Sequence, residues 1–454
     1  MSDITLVNLS YRFKEQREPG SPVPLGCLYL VSALEEKGYA VDFKDYPLDS
    51  RDRSLSIDSL VSFLSASSDV LGVSCCSDSL PTALAALKKV KAEAPQKYII
   101  LGGVGPTGTA AEILRNFPFI DVIVKGEGEK TIVEIMDRHR SGIGEPPAIN
   151  GIAYHTQEGV YLNPPRERIK DLDKISLPAY HKINPAAYSN LGLVTARGCL
   201  YRCDFCDAAP FWHNQVIRRD IEKIIRELKT FHVHYPHQTV QLYDETFTMD
   251  KKRVLRFCRR LKEENLDLRW SVMTRIDLVD KELMKEMSAA GCCTVLYGME
   301  SGSDRLLHKM GKKYNTREAK EKILHSLDYF QVLTPVIWGF PFETTADFYE
   351  TMEFAASVSE MGAVPLLNLL TPFSLSPLYA KYKDTLKFSR ELYEACHLIQ
   401  DEEVIGLIAK HPHIFPGSCY YEESNVPEKY PIAKGYENPV SAINLYTGSF
   451  PGNC

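Results

Sequence analysis

The segment Leu191-Gly-Leu-Val-Thr-Ala-Arg-Gly-Cys199-Leu-Tyr-Arg-Cys203-Asp-Phe-Cys206 carries the clearest structural signal in this 454-residue chain. It begins as a short apolar strand and continues directly into a loop with three cysteines. Three thiolates at this spacing can bind three corners of a cubane iron–sulfur cluster, which leaves the fourth iron without a protein ligand. An open metal position is a place for chemistry, as it is in catalytic zinc sites. The segment therefore predicts a strand, a cluster-binding loop and a reactive iron.

Two other uses of cysteine fit this segment less well. A structural zinc site normally takes four ligands in two separated pairs, whereas this loop supplies three. A disulfide framework is typical of secreted proteins, but the chain opens with Met1-Ser-Asp-Ile-Thr5, which reads as a strand and not as a leader. The cysteines outside the loop show no pairing pattern. We therefore expect a reduced, cytoplasmic protein.

The composition narrows the possible functions. A charged fraction of 25% and a hydrophobic fraction of 44% are ordinary for a soluble globular protein. The net charge of −6 offers no basic surface for nucleic acid. No apolar run approaches the ~20 residues that span a bilayer. We expect no nucleic-acid partner and no membrane span, so the function has to be sought in individual sites.

Residues 1–140 alternate strands with helices. Short apolar strands are predicted at 4–9, 39–43, 70–74, 98–101 and 120–124. Helical periodicity is found at 26–38 and 81–94. This alternation predicts a doubly wound, Rossmann-like parallel sheet, and such sheets bind ligands beyond the carboxyl ends of their strands.

The same alternation returns in residues 191–372, after a linker at 141–190 that contains a predicted hairpin. Strands are predicted at 191–195, 239–243, 269–273, 293–297, 333–338 and 364–370. Polar residues follow these strands, which is typical of the catalytic face of a β/α barrel. Residues 373–454 are predicted to form a small, mostly helical C-terminal region.

Together, the cysteine loop and the ordered strand-end motifs after it resemble the radical S-adenosylmethionine (SAM) superfamily. The resemblance covers about 180 residues and implies a partial (β/α)6 barrel. It implies that Cys199, Cys203 and Cys206 bind a [4Fe–4S] cluster and that SAM occupies the open iron. It also implies reductive cleavage of SAM to a 5′-deoxyadenosyl radical, with an electron donor such as flavodoxin or ferredoxin.

The resemblance further implies which residues contact SAM. Asp244 and Glu245 fall where the family presents groups to the SAM amino group, although Asp244 is also a good helix N-cap. Arg275 matches an arginine at the SAM carboxylate, and a surface ion pair is the alternative. Other implied roles are contacts to the ribose and carboxylate by Glu300 and Ser301, a turn near the adenine at Gly339, and shielding from water by Tyr201 and Phe205.

Residues 1–140 resemble the cobalamin-binding domain that is fused to many radical SAM enzymes. Gly102 and Gly103 follow a strand, where glycine lets the backbone approach a phosphate-bearing ligand closely. These glycines and Ser74 are the expected cobalamin contacts. No Asp-x-His-x-x-Gly motif follows the first strand, so no histidine ligand to cobalt is evident. The alternative is a vestigial domain whose glycines only form tight turns.

The expected function is therefore cobalamin-dependent C-methylation of an unactivated carbon in a small-molecule or peptide substrate. One alternative is a radical SAM enzyme with the same two domains that catalyses dehydration, oxidation or rearrangement in natural-product biosynthesis. Another is a protein that senses SAM or cobalamin and needs no competent cluster. A methylthiotransferase is disfavoured because the sequence shows no appended nucleic-acid-binding module.

Overall fold

The computed structural model of the protein describes residues 2–9, 22–49, 56–142, 149–396 and 401–437. Two largely parallel sheets with helices packed against them follow one another along the chain, and a mostly helical C-terminal region completes the fold. This architecture confirms the predicted fold class. No helix in the described ranges combines the length and the apolar character needed to cross a membrane.

The first sheet has the strand order β2-β1-β3-β4-β5-β6-β7. Its strands are β1 (Ile4–Leu9), β2 (Val41–Asp45), β3 (Val70–Cys75), β4 (Tyr98–Gly102), β5 (Val122–Val124), β6 (Ile152–Thr156) and β7 (Gly159–Leu162). Its helices are α1 (Leu25–Glu35), α2 (Tyr46–Asp49), α3 (Ile57–Ser65), α4 (Leu80–Glu93), α5 (Val104–Thr107), α6 (Ala110–Asn116) and α7 (Glu129–Arg140). Strands β1 to β5 are parallel, and the order reverses between β1 and β3, where doubly wound sheets bind their ligands.

The hairpin expected in the linker is part of the first sheet. Strand β6 pairs antiparallel with β5, so that Tyr154 lies opposite Val122, and β7 pairs with β6. Ile152, Ala153 and Tyr154 are buried, which extends the apolar face of the sheet by one strand. The segment that joins the two sheets therefore begins after Leu162.

The second sheet contains six parallel strands in the order β15-β14-β13-β12-β11-β8. The strands of this part of the chain are β8 (Leu191–Leu193), β9 (Ala196–Arg197), β10 (Ile217–Arg218), β11 (Val240–Leu242), β12 (Trp270–Thr274), β13 (Cys292–Tyr297), β14 (Gln331–Trp338) and β15 (Val364–Leu369). The helices are α8 (Ala208–Phe211), α9 (Ile221–His234), α10 (Lys251–Glu263), α11 (Lys281–Ala289), α12 (Asp304–Lys309), α13 (Thr316–Leu327) and α14 (Thr345–Glu360). Strands β9 and β10 form a separate short hairpin that encloses the cysteine loop.

Aspartate N-caps begin three successive barrel helices. The side chain of Asp220 accepts hydrogen bonds at the start of α9, Asp250 does so for α10, and Asp280 for α11. Such a cap stabilises a helix by ~1 kcal/mol because it satisfies backbone N–H groups that have no partner within the helix. The caps fix where each strand-end loop stops, so the loops lie at the carboxyl ends of the strands.

The C-terminal region packs against both sheets. It contains α15 (Pro377–Tyr382), β16 (Leu386–Lys387), α16 (Arg390–Cys396), α17 (Glu402–Lys410), β17 (Tyr420–Tyr421) and α18 (Val426–Glu437). Val404 and Ile408 of α17 join the apolar core beside α4. The ammonium of Lys429 on α18 is buried and lies 2.8 Å from the carboxylate of Glu343. Glu343 belongs to the loop between β14 and α14. The C-terminal region is therefore held by apolar contacts on one side and by a buried ion pair on the other.

The hydrophobic cores do not follow the division into two sheets. Val23 and Leu28 of the first part lie in one apolar cluster with Leu193 of the barrel. In the opposite direction, Phe340 and Leu370 of the barrel belong to the core of the first sheet. Each of these two apolar clusters therefore contains residues from both parts of the chain, which fixes the position of one sheet relative to the other.

Candidate active site

The cysteine loop is closed at its base by the β9–β10 hairpin, in which Arg197 pairs with Ile217. Gly198 is the first residue of the loop and has a φ of +110°, which disfavours any residue with a side chain. A Cβ atom at this position would lie 1.9 Å from the carbonyl oxygen of Gln215. Only glycine fits where the two arms of the loop cross, so the cysteines depend on Gly198 for their placement.

Replacing Gly198 with alanine is expected to lower the cluster content of the reconstituted protein severely, because the loop has to open to admit the methyl group. The matched control is Gly311→Ala, since Gly311 also has a positive φ (+73°) but meets nothing within 4 Å. The control measures the backbone cost alone, ~1–2 kcal/mol. Iron analysis and thermal unfolding of both variants provide the measurement. Equal cluster content in the two variants would contradict the close contact with Gln215.

Cys199, Cys203 and Cys206 are all partly buried in the loop. The Cys206 sulfur accepts a hydrogen bond from the backbone N–H of Ala208 at 3.4 Å, and the Cys199 sulfur lies 3.7 Å from the Thr246 hydroxyl. Burial raises the pKa of the Cys203 and Cys206 thiols. Bound iron reverses this effect, because a coordinating thiol loses its proton.

The arrangement of these three thiols fits a cluster. In the part of the chain that the structure describes, no three side chains of His, Cys, Asp or Glu converge on the position of a single metal ion. The cysteines nevertheless lie close enough for charge on Cys199 to raise the pKa of Cys203, and for charge on Cys203 to raise that of Cys206. A cubane takes its ligands at separate corners, so three neighbouring thiols on one loop suit it.

Arg275 lies directly beside this loop, at the end of β12. Its guanidinium carbon is 4.1 Å from the centre of the Tyr201 ring, in cation–π geometry. Its Nε and Nη2 groups donate to the two oxygens of Asp277 at 2.9 and 2.8 Å. The sequence left two roles open for Arg275, and the structure shows an ion pair that is buried next to the cysteines rather than on the surface.

Asp244 holds the end of strand β8 in place. Its carboxylate accepts the backbone N–H groups of Thr195 at 2.6 Å and Ala196 at 3.0 Å, and also the Thr195 hydroxyl. It is buried, and burial raises its pKa against the effect of these hydrogen bonds. In this structure Asp244 positions the strand that enters the cysteine loop. This role differs from both sequence predictions for Asp244, which were a SAM contact and a helix N-cap.

Glu245, the next residue, is turned toward open space instead. Its carboxylate accepts the indole N–H of Trp212 at 2.7 Å. Burial raises the pKa of Glu245, and the neighbouring charges of Asp207 and Asp244 raise it further. The two adjacent carboxylates therefore have different surroundings. Asp244 accepts hydrogen bonds from the backbone, whereas Glu245 faces the cavities described below.

Glu300 has a φ of +67°, an uncommon conformation for a residue with a side chain. Its carboxylate lies 3.0 Å from the ammonium of Lys312, and its backbone forms a bridge to Val336 beside β14. Lys312 is buried, and its charge also opposes the rise in the pKa of Cys203. Sequence analysis missed Lys312, and the position of this lysine after a glycine turn gave no signal of its proximity to the cluster loop.

Ser301 and Gly339 are placed mainly by packing. The Ser301 hydroxyl is 2.9 Å from the hydroxyl of Thr351 on α14, and the backbone N–H of Ser303 donates to it. Gly339 has a φ of +91°, and its N–H donates to Glu343 at 2.9 Å. Both residues shape the strand-end turns, and the structure shows no contact that assigns either of them to SAM.

A cavity of about 350 Å³, here called the first cavity, lies at the carboxyl ends of the first sheet. Ser74, Gly102 and Gly103 line it, at the point where the strand order reverses. A Cβ on Gly103 would lie 2.4 Å from the carbonyl oxygen of Cys75, so glycine is required for the backbone to pass there. Trp212 and Tyr243 of the barrel complete the opposite wall. These features describe a largely apolar space between the two sheets, where glycines let a ligand approach the backbone closely.

A buried network of four charged residues crosses the same interface. Arg197 donates to Glu127 at 3.1 Å and to Glu129 at 2.6 Å, and Arg168 donates to Glu127 at 2.9 Å. All four residues are at most 9% exposed. Arg168 also packs over the Trp212 ring and donates to the Trp212 carbonyl oxygen at 2.8 Å. The network ties the turn before α7 to the residue that precedes the cysteine loop.

A second cavity of about 530 Å³ opens above the barrel strands, and Phe205 of the cysteine loop lines it. Its wall includes apolar side chains from the ends of β12 to β15 and a segment of the first domain after β3. The residues shared by the walls of both cavities are Cys76, Val104, Phe211, Trp212 and Glu245. The two cavities are therefore neighbours that one layer of side chains separates.

Comparison with known families assigns both halves of the chain. Residues 193–355 match the radical SAM superfamily, and residues 19–136 match the B12 binding domain. The matched ranges contain the cysteine loop and the glycines of the first cavity, respectively.

Two curated relatives are similar over most of the chain. An uncharacterized methyltransferase of Pyrococcus horikoshii is 30% identical over 345 residues, which cover 73% of this chain and 72% of the relative. The anaerobic magnesium-protoporphyrin IX monomethyl ester cyclase of Cereibacter sphaeroides is 27% identical over 403 residues, which cover 85% of this chain and 64% of the relative.

Solved structures show the same fold. The radical SAM methyltransferase TsrM from Kitasatospora setae, with cobalamin and a [4Fe–4S] cluster bound, superimposes with a TM-score of 0.66 at 17% identity, covering 85% of this chain and 77% of TsrM. TsrM with tryptophan and a SAM analogue bound gives a TM-score of 0.70 at 16% identity, covering 98% and 91%.

Proposed function

Because this chain belongs to the radical SAM superfamily and carries a B12-binding domain ahead of the radical SAM domain, we propose that it methylates a carbon of a small-molecule or peptide substrate. The observation that carries the proposal is the common wall of the two cavities. A bound cluster with SAM supplies radical initiation, and a bound cobalamin supplies the methyl group. For cobalamin to deliver a methyl group to a substrate radical, the cobalamin site and the substrate site have to be adjacent. The two cavities meet this requirement.

The chain's own residues bind, orient and exclude water. Cys199, Cys203 and Cys206 are the ligands for the cluster. Arg275 and Lys312 place positive charge next to the thiolates, which offsets part of the charge that builds up there. Apolar and aromatic residues around the second cavity keep water away from reactive carbon radicals.

The proposal extends to the partners of the reaction. We expect the electron to come from a reduced flavodoxin or ferredoxin, and we expect the enzyme to act in the cytoplasm, where such donors are found. TsrM binds tryptophan, a small molecule, and a second cavity of about 530 Å³ in this chain is large enough for a substrate of that class.

Anaerobic reconstitution with iron, sulfide and hydroxocobalamin tests the proposal. The expected result is a protein that retains cobalamin through gel filtration and forms 5′-deoxyadenosine and S-adenosylhomocysteine from SAM under a strong reductant. A protein that forms no 5′-deoxyadenosine with any reductant would point to a SAM- or cobalamin-binding sensor. A protein that elutes without cobalamin would contradict methyl transfer through cobalt.

A second candidate is a radical reaction without methyl transfer. The similarity to the magnesium-protoporphyrin cyclase favours it, since that relative is named for ring formation and not for methylation. Methyl-labelled SAM separates the two candidates. Methyl transfer moves the label to cobalamin or to product, whereas the second candidate forms 5′-deoxyadenosine and leaves the label in methionine.

Filling the first cavity is expected to prevent cobalamin binding. Gly102 lines the cavity, its φ is not in the left-handed region, and a Cβ there meets only an ordinary contact at 3.8 Å from Val124. In Gly102→Leu the added side chain competes with the cofactor for space, and such overpacking costs ~1–3 kcal/mol. Cobalamin affinity should fall about tenfold or more, as measured by absorbance after gel filtration.

The control for this variant is Gly406→Leu, at an exposed position of α17 with nothing within 4 Å. The control should retain cobalamin and the cluster. Gly102→Leu should retain the cluster alone. Normal cobalamin affinity in Gly102→Leu would show that the first cavity is not the cobalamin site.

A further inference from the structure

Three carboxyl groups come from separate elements to line the second cavity. Asp78 follows β3 in the first domain, Asp207 follows the last cysteine of the loop, and Glu245 follows β11. Each of the three is partly buried. The remainder of the wall is largely apolar and includes the barrel residues Met273, Leu296, Ile337 and Leu366. The cavity is therefore an apolar space with negative groups at its edges.

Positive charge is missing from this wall. Within the described ranges, no lysine, arginine or histidine lines the cavity, and none of the three carboxyl groups takes part in an ion pair. Burial raises the pKa of Asp78 to about 6, against hydrogen bonds from the backbone N–H groups of Asp78 and Ser79. No cation of the protein opposes that rise. No charged group of the wall therefore offsets the carboxylates, and a cation that enters the cavity can pair with them.

A hydroxyl in the same wall also forms no hydrogen bond. Thr371 lines the cavity at the end of β15, the residue is only 8% exposed, and its hydroxyl has no partner among the residues that the structure describes. The hydroxyl oxygen does not belong to the fully enclosed polar atoms of the protein, so it opens into the cavity. Thr371 is thus a second polar group available to a ligand, independent of the three carboxylates.

The cationic side chains on the side of the cysteine loop already form ion pairs with other carboxylates. Arg275 is paired with Asp277, and Lys312 with Glu300, on the side of the cysteine loop. SAM brings a single net positive charge, and a [4Fe–4S]2+ core with three thiolates carries a single net negative charge, so these two charges offset each other and the carboxyl groups of the wall are left without a cation. With SAM bound, the cavity still holds more negative than positive groups, and a substrate that enters it meets a negative potential.

We infer that the substrate carries a protonated amine or guanidinium on an apolar or aromatic body, and that Asp78 binds this cation. The inference rests on the proposed function, because it takes the second cavity to be the substrate site. Asp78 is assigned because Asp207 adjoins a cluster ligand and Glu245 already accepts the Trp212 indole N–H. Asp78 alone of the three comes from the first domain. It is thereby a specificity-determining residue.

Three probes of similar size test the inference on the holoenzyme with cluster, cobalamin and SAM. Phenethylamine is a cation at neutral pH, 2-phenylethanol is neutral and 3-phenylpropionate is an anion. Anaerobic calorimetry measures the affinity of each. We expect phenethylamine to bind about tenfold or more tightly than the alcohol, and the acid to bind weakest. In Asp78→Asn the preference should shrink to about twofold, whereas Glu158→Gln, at an exposed hairpin turn, should keep it.

The outcomes separate this inference from the proposed function. Equal affinity for amine and alcohol, tightest binding of the acid, or no binding of any probe would overturn the inference, and none of these results depends on a variant that has to fold. An unchanged preference in an Asp78→Asn protein that retains cobalamin would overturn the assignment of Asp78. Formation of 5′-deoxyadenosine is measured on the same preparations, and its absence in the native enzyme would overturn the proposed function instead.

Discussion

Replacing Cys203 with alanine is expected to abolish both cluster assembly and SAM cleavage while leaving the fold intact. Cys203 is one of the three thiols on a single loop that we propose as the cluster ligands, and this loop contains no fourth cysteine that could replace it. The residue is partly exposed, so the lost packing costs little stability. Iron content, cluster absorbance and 5′-deoxyadenosine formation should all fall to background, and the thermal unfolding of the cluster-free variant should match that of the cluster-free native protein.

Cys293→Ala is the matched control. Cys293 is also a partly exposed cysteine, but it lies on β13 and not on the cysteine loop. The control should assemble a cluster with normal absorbance. Retained cluster absorbance in Cys203→Ala would mean that the ligands have been assigned wrongly.

Replacing Arg197 with methionine is expected to destabilise the protein by ~3–5 kcal/mol, the usual cost of removing one partner from a buried ion pair. The change leaves Glu129 buried without this cation and leaves Glu127 with Arg168 alone. Because Arg197 immediately precedes Gly198, the cysteine loop should also lose its anchor to the first domain. Chemical denaturation measures the stability, and cobalamin and iron content measure the effect on the two sites.

An exposed arginine with a similar set of partners provides the comparison. Arg390 contacts Glu394 and Glu402 on the surface, with 52% of its side chain exposed. Arg390→Met should cost at most ~1 kcal/mol, because solvent screens such pairs. A similar cost for the two variants would show that the buried network contributes no more than surface charges do.

Local sequence patterns were sufficient for the fold. Alternating apolar strands and amphipathic helices predicted both sheets, since each strand carries its own signal of buried, β-branched residues. The β6–β7 hairpin was recognised as a hairpin but was assigned to the linker. Its partner strand is β5, where Val122 pairs with Tyr154, 32 residues later in the sequence, and no local pattern encodes which sheet edge a hairpin joins.

The site was predictable only where a motif lies within one loop. The three cysteines and the Gly102–Gly103 pair are contiguous signals, and the structure places them at the loop and at the first cavity. The pairing of Arg197 with Glu127 spans 70 residues, and no local pattern connects two positions so far apart. One sequence feature indicated that a cation lies nearby, namely the alternation of Glu127 and Glu129 with glycines. Carboxylates in a turn next to buried strands are partly desolvated, and a nearby cation offsets that cost.

Asp244 shows a different limit of sequence reasoning. Its residue type and its place after β11 suited a SAM contact and a helix cap equally well. The structure uses its oxygens for the backbone of Thr195 and Ala196, which depends on a parallel strand 49 residues earlier in the chain. Function assigned to a carboxylate from its position alone is therefore less secure than function assigned to a spaced cluster of cysteines.

The apolar clusters that pass from one sheet into the other have a consequence for how the molecule denatures. Val23 and Leu28 pack with Leu193, and Phe340 packs into the first core, so neither sheet can lose its structure without exposing apolar surface of the other. Heat and denaturant should accordingly melt the chain in one cooperative transition, with slow amide exchange in β3 and β12 alike. The boundary after Leu162 thus divides the topology of the polypeptide but not its unit of cooperativity, and a fragment cut there should aggregate.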